Sequence, residues 1–77
     1  MILNIKYFGL LAEVTACNDE SIEFSNASVS ELLNVLFEKY PRLKEMDFQI
    51  AQNNEIISKE SLVSGNEIAL LPPFSGG

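Results

Sequence analysis

Ser28-Val29-Ser30-Glu31-Leu32-Leu33-Asn34-Val35-Leu36-Phe37-Glu38-Lys39-Tyr40-Pro41 is the stretch that decides the fold. Ser28 and Glu31 have the spacing of a capping box, in which each residue satisfies an N–H of the other at a helix start. Val29, Leu32, Leu33, Leu36, Phe37 and Tyr40 then recur at helical spacing on one face, with Glu31, Asn34, Glu38 and Lys39 on the other. Pro41 disfavours the α conformation at Tyr40, so the helix ends there. The spacing predicts one long helix whose apolar stripe needs a sheet to cover.

Everything around it reads as short strands. Upstream, Leu3, Ile5 and Tyr7 alternate with Asn4 and Lys6, predicting a half-buried strand over 2–8 with Phe8 on its other face. Gly9 to Thr15 reads as a short helical turn carrying Leu10, Leu11 and Val14. Asn18-Asp19 is turn chemistry, and Ile22 with Phe24 marks a second strand, which can pair antiparallel with the first. Downstream, Phe48-Gln49-Ile50-Ala51 predicts a third strand, Asn53-Asn54 a tight turn, and Glu55-Ile56-Ile57 a brief return. Ser64-Gly65-Asn66 is a further turn before the last strand, Glu67-Ile68-Ala69-Leu70-Leu71. The order β, β, α, β, β, β, with one long helix crossing a mixed sheet, makes an α+β roll around a single core. We expect one domain over 1–71 and a flexible tail over 72–77.

Size and charge narrow the function. A chain of 77 residues buries only about 60% of its unfolded surface and is marginally stable alone. Eleven acidic against five basic residues give a net charge of −6. That argues against nucleic acid, which demands clustered Lys and Arg, and against an anionic membrane surface. It suits a partner with a basic docking face. No apolar run reaches the ~20 residues of a bilayer span, and Met1-Ile2-Leu3-Asn4 lacks the basic start of a signal peptide. One cysteine, Cys17, gives no internal disulfide. The expected location is cytoplasmic.

Most catalytic templates are missing. With no histidine in the chain there is no Ser-His-Asp or Cys-His arrangement, and no His/Cys cluster has metal spacing. The four glycines are too scattered to cradle a phosphate. Cys17 sits among Ala16, Asn18, Asp19 and Glu20, which favour a packing role over a thiolate. The carboxylates read as solvating charge on helix and turn surfaces.

What remains is the end of the chain, Leu70-Leu71-Pro72-Pro73-Phe74-Ser75-Gly76-Gly77. Pro72 and Pro73 stop the last strand, and Gly76-Gly77 has no β-carbons, so it can thread through a narrow channel. The carboxylate of Gly77 is a candidate reacting group once activated, for instance as a mixed anhydride with AMP. The six residues from Pro72 reach on the order of 20 Å into another protein's cleft. The competing reading is an inert terminus. Phe8, Leu71 and Phe74 stand on nominally outer faces and can form one docking patch at the base of the tail, or can simply cover each other.

These residues resemble the small, sulfur-carrying subunit of molybdopterin synthase, within the ubiquitin-like β-grasp proteins. The similarity runs the whole length: Tyr7-Phe8 before a short helical segment, the turn Ser64-Gly65-Asn66-Glu67-Ile68, and above all Pro-Pro-x-Ser-Gly-Gly. The resemblance implies a subunit that is not an enzyme by itself and binds no cofactor or metal. A ubiquitin-activating-like adenylyltransferase uses ATP to adenylate Gly77, and a sulfur donor converts it to a thiocarboxylate. The subunit then docks on the large synthase subunit, in a heterotetramer, and donates sulfur to cyclic pyranopterin monophosphate in molybdenum cofactor biosynthesis. It implies partner contacts at Phe8, Leu71, Pro72, Pro73 and Phe74, with Ser75 and Gly76 in the threading tail. Two departures stand out: Ala12 where relatives often carry a basic residue, and Asn66 in place of Asp. The alternatives are a sulfur carrier for thiamin thiazole synthesis, against which Pro72-Pro73 speaks, and a ubiquitin-like protein modifier.

Overall fold

The capping box forms as the sequence requires. In the computed structural model, which describes residues 2–25 and 27–73, the Glu31 N–H donates to Ser28 Oγ and the Ser28 N–H to Glu31 Oε1, both at 3.3 Å. The helix they start, α2 (Val29–Lys39), buries Val29, Leu32, Leu33 and Leu36 and leaves Val35 exposed. Its last turn runs into a 3₁₀ turn, Pro41–Glu45, that buries Leu43. The sequence reading did not anticipate that turn: Pro41 ends the α-helix but leaves the chain helical in its tighter form, which Pro tolerates at a first position.

Five strands form one sheet in the order β2-β1-β5-β3-β4. They are β1 (Ile2–Tyr7), β2 (Asp19–Glu23), β3 (Gln49–Gln52), β4 (Glu55–Ile57) and β5 (Glu67–Leu71), with a short helix α1 (Leu10–Thr15) between the first two. β1 pairs parallel with β5; the other pairings are antiparallel. The chain is thus an α+β β-grasp with a mixed sheet, as expected.

Side-chain alternation divides the sheet into two faces. Leu3, Ile5 and Tyr7 of β1 and Ile68 and Leu70 of β5 point to the helix layer, each at most 2% exposed. Asn4, Lys6, Ala69 and Leu71 take the outer face, where Lys6 and Glu67 pair at 3.2 Å. The outer pair is about half exposed on both sides, so it adds little stability.

Three boundaries differ from the sequence reading. β1 ends at Tyr7, leaving Phe8 just beyond it. β2 spans Asp19–Glu23 rather than centring on Ile22 and Phe24. Asp19, taken for turn chemistry, pairs with Lys6, and Phe24 leaves the ladder to join the core. β2 has only one apolar residue, so its register is set by pairing with β1, not by its own pattern. The Asn53-Asn54 turn forms, with φ of 55° and 66°, as a type I′ hairpin needs.

One buried polar residue ties a loop down. Gln52 falls on the core face of β3 and is 8% exposed. Its Nε2 donates to the Leu62 carbonyl at 3.2 Å, and its Oε1 accepts from the Ser64 N–H at 2.8 Å. Both amide groups are satisfied, so the burial costs little, and the loop before β5 is held against the sheet.

Candidate functional site

The parallel pairing of β1 with β5 builds the site. Tyr7 stands opposite Leu70, and the Phe8 N–H donates to the Leu70 carbonyl at 3.2 Å. Phe8 and Leu71 are therefore next along adjacent strands. Phe8 is 45% exposed and Leu71 half-buried, followed by exposed Pro72 and Pro73. These four expected partner-contact residues lie together at one end of the sheet. The others, Phe74, and the tail residues Ser75, Gly76 and Gly77, lie outside the described residues.

Gly9 closes this end and was missed by the sequence reading. It precedes α1 at φ 61°, ψ −136°, a region that only glycine enters readily. A β-carbon there would stand 2.7 Å from Pro72 Cγ. The signal was in the sequence as a glycine directly after a strand, where close backbone approach is the usual reason. Leu10, the next residue, is 62% exposed and lines a separate groove with Val14, Arg42 and Met46. A shallow groove of about 530 Å³ opens beside Phe8 and Gly9, with Lys6, Glu13 and Asp19 on its walls.

A second cluster corrects one reading. Glu20 is not solvating charge: its register opposite Ile5 puts it on the core face of β2, where its side chain is 13% exposed. Glu20 Oε2 accepts from Tyr7 Oη at 2.8 Å and Tyr40 Oη at 2.5 Å, and Oε1 from Lys39 Nζ. Burial alone would push its carboxyl up. The hydrogen bonds from Lys39, Tyr40 and Tyr7 outweigh that and hold it below the ordinary carboxylate range. Burial first, then the bond to Glu20, raises both tyrosine hydroxyls well above their ordinary value. The rings of Tyr7 and Tyr40 meet edge to face at 6.1 Å. Cys17 is half-buried beside this cluster, its Sγ 3.8 Å from Glu20 Oε2, in keeping with a packing role. Carboxylate, tyrosines and lysine all serve to pin β2 to the end of α2. Among the described residues no group of His, Cys, Asp or Glu is placed to hold a metal ion, and no helix is long and apolar enough to cross a membrane.

The ionisable groups at this end, Lys6, Glu13 and Asp19, are exposed or half-buried side chains on the wall of an open groove. Beside them stands the apolar platform of Phe8, Leu71, Pro72 and Pro73, on a mixed sheet of order β2-β1-β5-β3-β4 packed on one long helix, the architecture of a β-grasp protein of the ubiquitin-like type. The chain belongs to the ThiS family, whose model matches residues 5–77. It is 34% identical to the molybdopterin synthase sulfur carrier subunit of Mycobacterium tuberculosis, over 97% of this chain and 96% of that one. Its fold matches the small archaeal modifier protein SAMP1 from Haloferax volcanii with a TM-score of 0.81, at 26% identity over the whole of both chains. It also matches a chain in the complex of subunits 1 and 2 of molybdopterin-converting factor from Helicobacter pylori, with a TM-score of 0.68, at 27% identity over the whole of both chains.

Proposed function

We propose that this protein is the sulfur carrier subunit of a molybdopterin synthase. The observation that carries the reading is the end-to-end match to a sulfur carrier subunit, in a chain whose sequence closes on Pro72-Pro73-Phe74-Ser75-Gly76-Gly77. An adenylyltransferase of the ubiquitin-activating kind joins the Gly77 carboxylate to the α-phosphorus of ATP and releases pyrophosphate. A sulfur nucleophile displaces AMP and leaves a thiocarboxylate. In the large synthase subunit the sulfur passes to cyclic pyranopterin monophosphate, and water restores the carboxylate. Two loaded carriers are used per dithiolene.

In this reading residues 1–71 are the carrier domain and 72–77 the reacting tail. Phe8, Leu71, Pro72, Pro73 and Phe74 contact the large subunit, while Ser75 and Gly76 thread its channel. The carrier works in the cytoplasm, and the basic groups of the reaction belong to the large subunit, which suits a chain of net charge −6. The test is intact mass after incubation with activating enzyme, ATP and a sulfur source. A gain equal to replacing one oxygen by sulfur, absent when Gly77 is deleted, supports the carrier. No gain under conditions that load a known carrier overturns it.

The likeness to a small archaeal modifier protein favours one second reading, a protein modifier joined to lysines through the same carboxylate. Isopeptide-linked conjugates of this chain in cells, lost on Gly77 deletion, would establish that role.

A further inference from the structure

We infer that Gly9 is a positioning residue for the reacting tail. It serves as a flat seat for the ring of Pro72 and so sets the direction in which the chain leaves the sheet. This rests on the sulfur-carrier reading for its consequence, though the contact stands on geometry alone.

Gly9 is held from both sides. Before it, the Phe8 N–H is bonded to the Leu70 carbonyl at 3.2 Å, which ties this segment to the last strand. After it, the Ala12 N–H donates to the Gly9 carbonyl at 3.1 Å and the Leu11 N–H to the Phe8 carbonyl at 3.2 Å, which anchor the start of α1. The residue cannot slide away from Pro72 without breaking strand or helix. Pro72 cannot swing freely either, since its ring fixes its own φ and Leu71 before it is still paired with Gln49. The two rigid segments meet at the Gly9 Cα, where a β-carbon would lie 2.7 Å from Pro72 Cγ, 3.8 Å from Cδ and 3.9 Å from Cβ. Real β-carbons essentially never come within 3.0 Å of such an atom. The atom in the way belongs to a closed ring, so it cannot be relieved by turning a side chain. An L side chain at position 9 therefore presses on that ring and, beyond what a change of pucker absorbs, turns the tail at its root. A turn there redirects Pro73 and the start of the tail, and reacting groups tolerate little misplacement.

The experiment is a double-mutant cycle of Gly9→Ala and Pro72→Ala. The cost of an L residue at positive φ is present whether or not the proline ring is there, so it cancels in the comparison and leaves the ring contact. Two readouts are taken. In the free protein, NMR cross peaks between Gly9 Hα and Pro72 ring protons are expected, with the rest of the fold unchanged by Pro72→Ala. In single-turnover sulfur transfer from pre-loaded carriers at saturating large subunit, Gly9→Ala should slow transfer at least tenfold with less than a threefold change in Kd. Introduced into the Pro72→Ala variant, the same change should slow transfer less than twofold. Equal losses in both backgrounds, a loss wholly in Kd, or absent cross peaks would each overturn the inference. Failure of loaded wild-type carrier to transfer any sulfur would instead sink the sulfur-carrier reading, with the seat still judged by the cross peaks.

Discussion

Phe8→Ala should weaken binding to the large synthase subunit about twentyfold without unfolding the carrier. Phe8 is 45% exposed at the end of β1. A phenylalanine carries roughly 200 Å² of surface, so about 90 Å² remains for a partner to cover. At ~25 cal/mol per Å² that is about 2.2 kcal/mol. Alanine keeps a minor part of it, leaving a loss of about 1.8 kcal/mol, or roughly twentyfold in Kd. Val35 supplies the control. It is 44% exposed, but it stands on α2, on the opposite side of the sheet from Leu71. Val35→Ala should change Kd less than twofold. The assay is calorimetric titration of each variant into the large subunit, with circular dichroism to confirm folding. A change below threefold for Phe8→Ala, or an equal change for Val35→Ala, would refute the assignment of the outer face as the docking surface.

Two further outcomes concern the frame that holds this face. Glu20→Gln should cost about 1–2 kcal/mol at neutral pH, because a charged acceptor of three hydrogen bonds is lost. Its carboxyl is held below the ordinary range, so its contribution is complete above the unfolded carboxylate value and is lost as pH falls through the lower folded value. Urea midpoints of wild type and variant should therefore converge in acid, and a gap that persists or widens there would contradict this account. Gln52→Ala should cost about 1–3 kcal/mol, lowering Tm by roughly 5–15 °C in a domain this small, and should speed exchange of the Ser64 amide proton. A loss below about 0.5 kcal/mol, within the range of ordinary surface changes, would show that water replaces the Gln52 clamp.

The elements legible in the sequence are those whose signals are local. The capping box and the leucine stripe fix α2. β5 begins and ends at Glu67 and Leu71 as read, because Gly65 opens it, at φ 75°, and Pro72-Pro73 close it. The misread elements depend on partners far along the chain. β2 is mostly polar and takes its register from β1. Glu20 looks like surface charge until that register turns it toward Tyr7, Lys39 and Tyr40; its place two residues before Ile22 was the available hint. The seat of Pro72 on Gly9 is equally non-local. Phe8, Leu71 and the proline pair could be nominated from alternation and from the end of the chain, but their meeting at one end of the sheet depends on the pairing of β1 with β5.

That pairing explains why this fold suits a carrier. Antiparallel first and last strands would place the end of one beside the start of the other. Here β1 and β5 run parallel, Asn4 beside Glu67 through Tyr7 beside Leu70, so both strands finish at the same end. The residues after Tyr7 and those after Leu71 are then neighbours by necessity: Phe8 provides apolar surface, Gly9 a flat seat, and Pro72 a rigid departure. The core residues Ile5, Ile68 and Leu70, all fully buried, hold this end in place. On the proposed reading, a partner that grips the outer face through Phe8 meets Pro72 and Pro73 beside it. If docking and delivery both follow from this one strand pairing, as proposed, Phe8 changes should act on Kd and Gly9 changes on the rate at saturation.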